Sequence, residues 1–239
     1  MPQMEKLAQE VTALIGLRLT PQHLTAFEVY ARELMDWNRR FNLTAIRAQE
    51  EIRVKHFLDS LTVSLAFRGR PVDRVIDVGT GAGFPGIPLK IVFPHIQLTL
   101  VESIGKKAEF CQHMVERLKF KDVTVLYERV ERVGQMPEHR EQYDWALARA
   151  VAQLSTLSEY LLPLVHVGGY MLAQKAESAQ LEIQEASRAL DVLGGNLRQI
   201  IPVNLPGVAE ERCLVVLEKV VATPPKYPRR VGMPSKKPL

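Results

Sequence analysis

The 239 residues are 46% hydrophobic and 24% charged, an ordinary globular composition with enough apolar residues for a sizeable core and for one main domain with an appendage. The longest apolar region, Tyr160 to Ala173, is broken by Pro163, His166 and two glycines and falls short of the roughly 20 residues of a membrane span. Met4 to Ile15 is amphipathic rather than a secretory block, and Cys111 and Cys213 spell neither a metal site nor a disulfide framework, so a reducing, cytoplasmic setting is expected. Net charge is +4, yet the six bases after Glu218 (Lys219, Lys226, Arg229, Arg230, Lys236 and Lys237) meet no further acid, which leaves residues 1–218 net negative by two.

In chain order, Met4, Leu7, Val11 and Leu14 mark one face of a first helix. Thr20-Pro21 supplies an N-cap and first-turn proline for a longer one, with Leu24, Phe27, Ala31, Leu34 and Trp37 as its apolar stripe. "NRRFNLTAI" (38–46) ends it, and a third helix is predicted over about 49–66. From residue 74 strands and helices alternate: strand 74–78, helix near 86–93, strand 97–102, helix 104–118, strand 123–127, strand 143–150, helix 153–161, strand 169–175 and helix 177–192. Strands near 196–203 and 212–220 follow with no helix between them. Parallel neighbours need crossovers, so the pattern predicts an α/β fold, a mostly parallel, doubly wound sheet with an antiparallel pair at one edge and helices packed before it. The tail beyond the last strand carries Pro224, Pro225, Pro228, Pro234 and Pro238 and is expected to be extended and non-helical, either a phosphate-binding arm or a solvated terminus.

"RVIDVGTGAGFPGIPLKI" (74–91) sits where a strand meets a helix. Gly81-x-Gly83-x-x-Gly86 satisfies the dinucleotide fingerprint, while Asp77 and Gly79 extend it to D-x-G-x-G-x-G, as in an S-adenosylmethionine site. Glu102 closes the next strand 21 residues after Gly81, where it suits two ribose hydroxyls in either ligand. Asp77 separates the two readings: an anion facing the ligand repels a pyrophosphate and attracts a sulfonium. Phe84 reads equally as core filler or as a wall of the site.

"WNRRFNLTAI", "HFLDSL", "DVGTGAGFPGIPLKI", "VESIGKK", "RAVA" and the terminal "YPRRVGMPSKKPL" resemble the bacterial small-subunit ribosomal RNA methyltransferase G family, also called glucose-inhibited division protein B, from the N-terminal helices to the last residue. The resemblance implies the Rossmann-like class I methyltransferase fold, with an N-terminal helical cap over 1–70, a core over 71–221 and a basic tail over 222–239. It also implies S-adenosylmethionine as cofactor and methylation of N7 of a guanine, position 527 in the family's numbering of 16S ribosomal RNA, with that RNA or a small-subunit particle as partner; a monomer is expected. The family's cofactor contacts fall on Gly79, Phe84, Glu102, Val130, Glu131 and Arg149, and no catalytic residue or metal ligand is nominated. Without the resemblance, "ERVER" (128–132) reads as a solvated charged loop, and an Arg149 at a strand end needs a partner.

Other polar residues read more plainly. His56 and Asp59 are expected to form a structural pair on one helix face, Lys106 and Lys107 to be solvated, and Asn38 and Asn42 to cap a helix end. After the fourth strand "RAVAQ" stands where an amine methyltransferase commonly carries N/D-P-P-Y, and neither cysteine is placed as the nucleophile for a pyrimidine carbon. Guanine N7 needs neither device. The rival functions are an NAD-dependent oxidoreductase and a non-catalytic RNA-binding module.

Overall fold

The computed structural model describes residues 2–176 and 179–239. Helix α1 (Pro2–Ile15) is followed by α2 (Pro21–Phe41), whose start is fixed as the sequence predicts. The Thr20 hydroxyl accepts from the His23 amide, His23 Nδ1 accepts from the Thr20 amide, and Pro21 occupies the first turn. At the other end Asn42 adopts a left-handed conformation and donates its amide to Asn38 O, while Asn38 Oδ1 accepts from Thr44 N, so both asparagines cap as expected.

The third helical run, α3 (49–67), is not a regular α-helix. Its segment Ile52–Leu58 is a π-helix, which widens the turn that carries His56. The Asp59 amide donates to His56 O within the helix, but the two side chains turn to Arg149 rather than to each other.

Strands β1 (Arg74–Val78), β2 (Gln97–Glu102), β3 (Val123–Tyr127), β4 (Tyr143–Arg149), β5 (Val165–Ala176), β6 (Gly195–Val203) and β7 (Arg212–Lys219) form one sheet in the order β3-β2-β1-β4-β5-β7-β6. The first five are parallel, and β7 runs antiparallel between β5 and β6. Strand alternation assigns the two faces. Val75, Leu98, Leu100, Trp145, Leu147, Leu214 and Val216 join one apolar cluster with Leu7 of α1, Phe27 and Leu34 of α2 and Phe57 of α3, so the N-terminal helices share a core with the sheet. Ile76, Val78, Val101, Ala146, Ala148, Val215 and Leu217 face the other way, onto helices Leu154–Leu161 and Ser187–Leu193. The helix predicted over 177–192 is two, Ala179–Glu185 and Ser187–Leu193, and residues 177 and 178 of that span lie outside the described residues.

The tail departs from expectation. It folds back onto the core instead of extending, and it ends in a short helix, Met233–Lys236. Tyr227 is buried, Arg229 forms a two-pronged ion pair with buried Glu159 (Nε–Oε1 2.9 Å, Nη2–Oε2 2.6 Å), and Arg140 donates to the carbonyls of Thr223, Pro224 and Tyr227. Lys219, wholly buried at the end of β7, is bound by Glu141 Oε1 at 2.6 Å and Leu162 O at 2.7 Å. Two of the six tail bases are therefore structural: buried Glu159 holds Arg229, and part-buried Glu141 holds Lys219. Lys226, Arg230, Lys236 and Lys237 are exposed. No helix among the described residues is long and apolar enough to cross a membrane.

Candidate functional site

Strands β1 and β4 lie side by side while their following connections run to opposite sides, so the crevice beyond their carboxyl ends is where an open α/β sheet takes a ligand. The glycine loop after β1 folds tightly: the amides of Gly79 and Thr80 both donate to Val101 O. At Gly79 (φ 67°) a Cβ would stand 2.7 Å from Val151, a close approach that only glycine permits. At Gly81 (φ 62°) a Cβ would meet nothing within 4 Å. Gly81 is thus the glycine that presents bare backbone to open space.

Beneath the loop lies Asp77, wholly buried. Its Oδ2 accepts from Thr80 Oγ1 at 2.6 Å and from Gly86 N at 2.8 Å, and Oδ1 has no partner among the described residues. Burial pushes this carboxyl up to about 6, against those hydrogen bonds and the Arg149 charge. The expectation that Asp77 faces the ligand is therefore corrected. The acid braces the loop from inside, because the side chain at this point of β1 is packed under the loop that follows.

Glu102 does the complementary work at the end of β2. Oε2 accepts from Gly81 N at 2.9 Å and Oε1 from Ile104 N at 2.8 Å, while its own carbonyl receives Glu128 N. Each carboxylate oxygen keeps a lone pair for a vicinal diol. The loop after β3 is thereby tied to Glu102, and it is not the solvated loop its charges suggest. Val130 and Glu131 are buried in a short helix, Val130–Val133, and only Glu128 and Arg132 pair at the surface. Glu131 accepts from Arg129 and, through Oε1 at 2.8 Å, from Gly232 N of the tail. Burial raises its pKa, but these hydrogen bonds outweigh it and hold the carboxylate below its usual range.

Phe84 is packed into the core beside the glycine loop. It is 3% exposed, and its ring stacks on His56 (4.3 Å) and on Tyr30 (5.2 Å). Tyr30, which nothing in the sequence flagged, also donates to Ala82 O at 2.5 Å and so fixes the glycine loop from α2. The Arg149 guanidinium lies 5.1 Å from the Phe84 ring and has the partners its burial requires: Lys55 O (2.9 Å), Asp59 Oδ2 (3.0 Å) and His56 Nδ1 (3.1 Å). Because His56 Nδ1 must accept there, its proton sits on Nε2 and is donated to Thr44 Oγ1. Burial and the Arg149 charge push His56 down to about 3, so the ring is neutral at neutral pH. Cys111 is buried in helix Gly105–Arg117 with its thiol 3.4 Å from Gly81 O, and burial raises its pKa well above the usual value. Lys106 is exposed as expected, with its ammonium 5.4 Å from the Phe41 ring.

The six residues marked in the sequence thus lie around one loop cluster. Open backbone at Gly81 beside the Glu102 carboxylate fits a nucleoside carrying a ribose diol.

Residues 23–211 match the family model described as rRNA small subunit methyltransferase G. The chain belongs to that family. It is 51% identical to the ribosomal RNA small subunit methyltransferase G of Roseiflexus castenholzii, covering 94% of this chain and 95% of the relative, and 46% identical to that of Chloroflexus aggregans, covering 98% of each. Among solved structures, a SAM-dependent methyltransferase from Aquifex aeolicus matches with a TM-score of 0.51 (19% identity, 68% of this chain, 90% of that one). A SAM-dependent O-methyltransferase from Thermotoga maritima matches at 0.52 (15% identity, 80% and 72%). These likenesses establish the Rossmann-like methyltransferase fold. Membership of a methyltransferase family in that fold makes S-adenosylmethionine the cofactor and sets the nicotinamide alternative aside.

Proposed function

We propose that the protein methylates N7 of a guanine in 16S ribosomal RNA, as free RNA or within a small-subunit particle, in the cytoplasm and as a monomer, by direct transfer without a general base. Gly79, Phe84, Glu102, Val130, Glu131 and Arg149 form the proposed donor site. In it Glu102 accepts from the ribose diol, Val130 and Glu131 border the adenine, and the Arg149 charge, neutralised by Asp59, stiffens the wall between donor and RNA. When bound, S-adenosylmethionine supplies an electrophilic methyl group, and its transfer to N7 moves positive charge to the guanine ring and moves no proton.

The observation that carries this reading is that the titratable groups packed against the glycine loop, Asp77, His56 and Cys111, are sealed or already bonded. Asp77 is sealed beneath the glycines, His56 uses both ring nitrogens in fixed hydrogen bonds, and Cys111 is a buried thiol. An acceptor whose lone pair bears no proton asks only for positioning and alignment, and those alone lower a barrier by up to about 7–11 kcal/mol. The ribosomal substrate is supported by what the relatives are called.

The test is transfer of a labelled methyl into small-subunit RNA, followed by nucleoside digestion. Label in 7-methylguanosine at one nucleotide is the expected outcome. Label elsewhere refutes the N7 assignment, and no label with intact RNA binding favours the non-catalytic RNA-binding module.

A further inference from the structure

The last turns of α2 and the loop that leads to α3 enclose a cavity of about 210 Å³. Its accessible walls are the exposed Arg39 and Arg47 and the half-buried Met35 and Ile46, with the buried Leu34, Asn38 and Ile52 behind them. Among the described residues no acid lines it. Arg39 has one pair, with exposed Asp36 at 3.4 Å, and Arg47 has no ion pair among the described residues. The dipole of α2 accounts for Arg39 and its exposed neighbour Arg40, the bases of its last turn, but not for Arg47, which lies beyond the helix. Lys106 adds a further cation close by, since its ammonium lies 5.4 Å from the ring of Phe41, the last residue of α2.

One run of contacts ties this cavity to the donor loop. Asn38 Oδ1 accepts from Thr44 N at 3.0 Å, Thr44 Oγ1 accepts from Ile46 N at 3.2 Å and from His56 Nε2 at 3.0 Å, and the His56 ring stacks on Phe84 at 4.3 Å. The cavity wall and the proposed donor site therefore share one support, with the side chains of Thr44 and His56 between them. Two guanidiniums with no acid between them suit the phosphate of a nucleotide, and Met35 and Ile46 offer apolar surface to the face of a base. The volume lies below the about 300–1,000 Å³ of sites that enclose a drug-sized ligand, so the cavity has room for a single base whose sugar and phosphate stay on the rim. Single-stranded RNA supplies that combination, because its bases can leave the stack while its backbone tracks a line of cations; a duplex offers the phosphates alone.

We infer that this cavity takes one unpaired base of the RNA substrate, close to the target guanine in sequence, with Arg39 and Arg47 holding the adjoining phosphate. The inference rests on the proposed function and adds to it a second point of RNA contact, carried by the N-terminal helices. Because Thr44 and His56 fix the cavity relative to the donor loop, a base seated there sets the register of the strand and so decides which guanine reaches the methyl group.

The test uses the full chain and small-subunit RNA in which the nucleotides within two positions of the target guanine are made abasic one at a time. At one of these positions the wild type should bind the RNA roughly 5–150-fold more weakly, the loss expected for one seated base. Met35→Trp fills the cavity and should abolish the dependence on that position. Arg39→Gln combined with Arg47→Gln changes only exposed side chains and serves if the tryptophan variant does not fold. The double variant should flatten the slope of log affinity for RNA against log salt by about 0.7 for each phosphate no longer neutralised, and bind S-adenosylhomocysteine as the wild type does. An unchanged salt slope in that variant would overturn the inference. Equal binding of every abasic RNA would overturn it as well, by leaving the arginines as surface charge and the cavity without a base. Absence of any transfer to the intact RNA by the wild type would instead sink the proposed function, and this inference with it.

Discussion

Glu102 ties the glycine loop to the end of β2 and, in the proposed donor site, serves the ligand with the same carboxylate. It was legible in the sequence because a strand-ending acid 21 residues after Gly81 has few other uses, but its bonds to Gly81 N and Ile104 N were not. Each is a charge-assisted hydrogen bond worth about 1.5–3 kcal/mol, so Glu102→Ala should weaken donor binding at least tenfold and also lower the melting temperature. Titration calorimetry with S-adenosylhomocysteine beside a thermal melt checks both, and unchanged affinity in a folded variant removes Glu102 from the site. Asp77 escapes a sequence reading for a related reason: the residues mark where a strand ends, not whether a carboxylate at its end points out or under the loop. His56 carries a prediction with a definite sign. Its pKa is about 3 in the folded chain and 6.5 when unfolded, so its contribution is fully present above 6.5 and is lost as pH falls below it. Asp77, raised to about 6, changes stability in the opposite sense between its two values, so the wild type alone shows only the difference. His56→Asn keeps an acceptor for Arg149 and cannot titrate. On going from pH 7.5 to 5 it should gain about 2 kcal/mol relative to the wild type, from 1.5 pH units of removed linkage, as urea midpoints would report. Parallel pH dependence in the two proteins would contradict the buried neutral ring.

Among the elements, the strands were the most legible and the tail the least. β1, β2 and β3 begin and end where period-two apolar runs meet glycine and charge, whereas the π-turn at Ile52–Leu58 has no marker in its residue types and nothing in the tail's own sequence announces Glu131, Glu141 and Glu159 as its acceptors. Charge and proline content describe an arm in water; the buried carboxylates that fold it back lie 70 to 101 residues away in sequence. Glu159 is almost wholly buried, so Arg229→Ala strands a charge and should cost about 3–5 kcal/mol of stability by chemical denaturation. Since Gly232 N holds Glu131, the same variant should weaken donor binding as well; unaltered affinity would show that Glu131 keeps its place without the tail. RNA binding by the tail falls to the four exposed bases. Replacing Lys226, Arg230, Lys236 and Lys237 with glutamine should leave donor affinity intact and flatten the slope of log affinity against log salt by about 0.7 for each phosphate no longer neutralised, while an unchanged slope would assign phosphate binding elsewhere.

For the whole molecule, the alternation of strands and helices gave away the parallel sheet and its antiparallel edge, because crossovers leave a periodic trace; the insertion of β7 between β5 and β6 left none, since either neighbour suits an apolar strand. That insertion brings Arg212 beside Arg149, where both bond Asp59 Oδ2. The proposed mechanism asks the protein only to position two reactants and leaves the proton inventory untouched. Three groups near the loop have been moved away from the neutral range, His56 down to about 3 and Tyr30 and Cys111 well above their ordinary values, while Asp77, raised to about 6, is sealed beneath the glycines. The most direct test is the single-turnover rate of methyl transfer at saturating donor and RNA as a function of pH. The rate should be nearly flat from about pH 7 to 9, above the Asp77 titration and below those of the tyrosine and thiol. A rate that climbs tenfold per pH unit across that range, with both ligands still bound and the slope abolished by replacing one side chain, would reveal a general base and contradict the account.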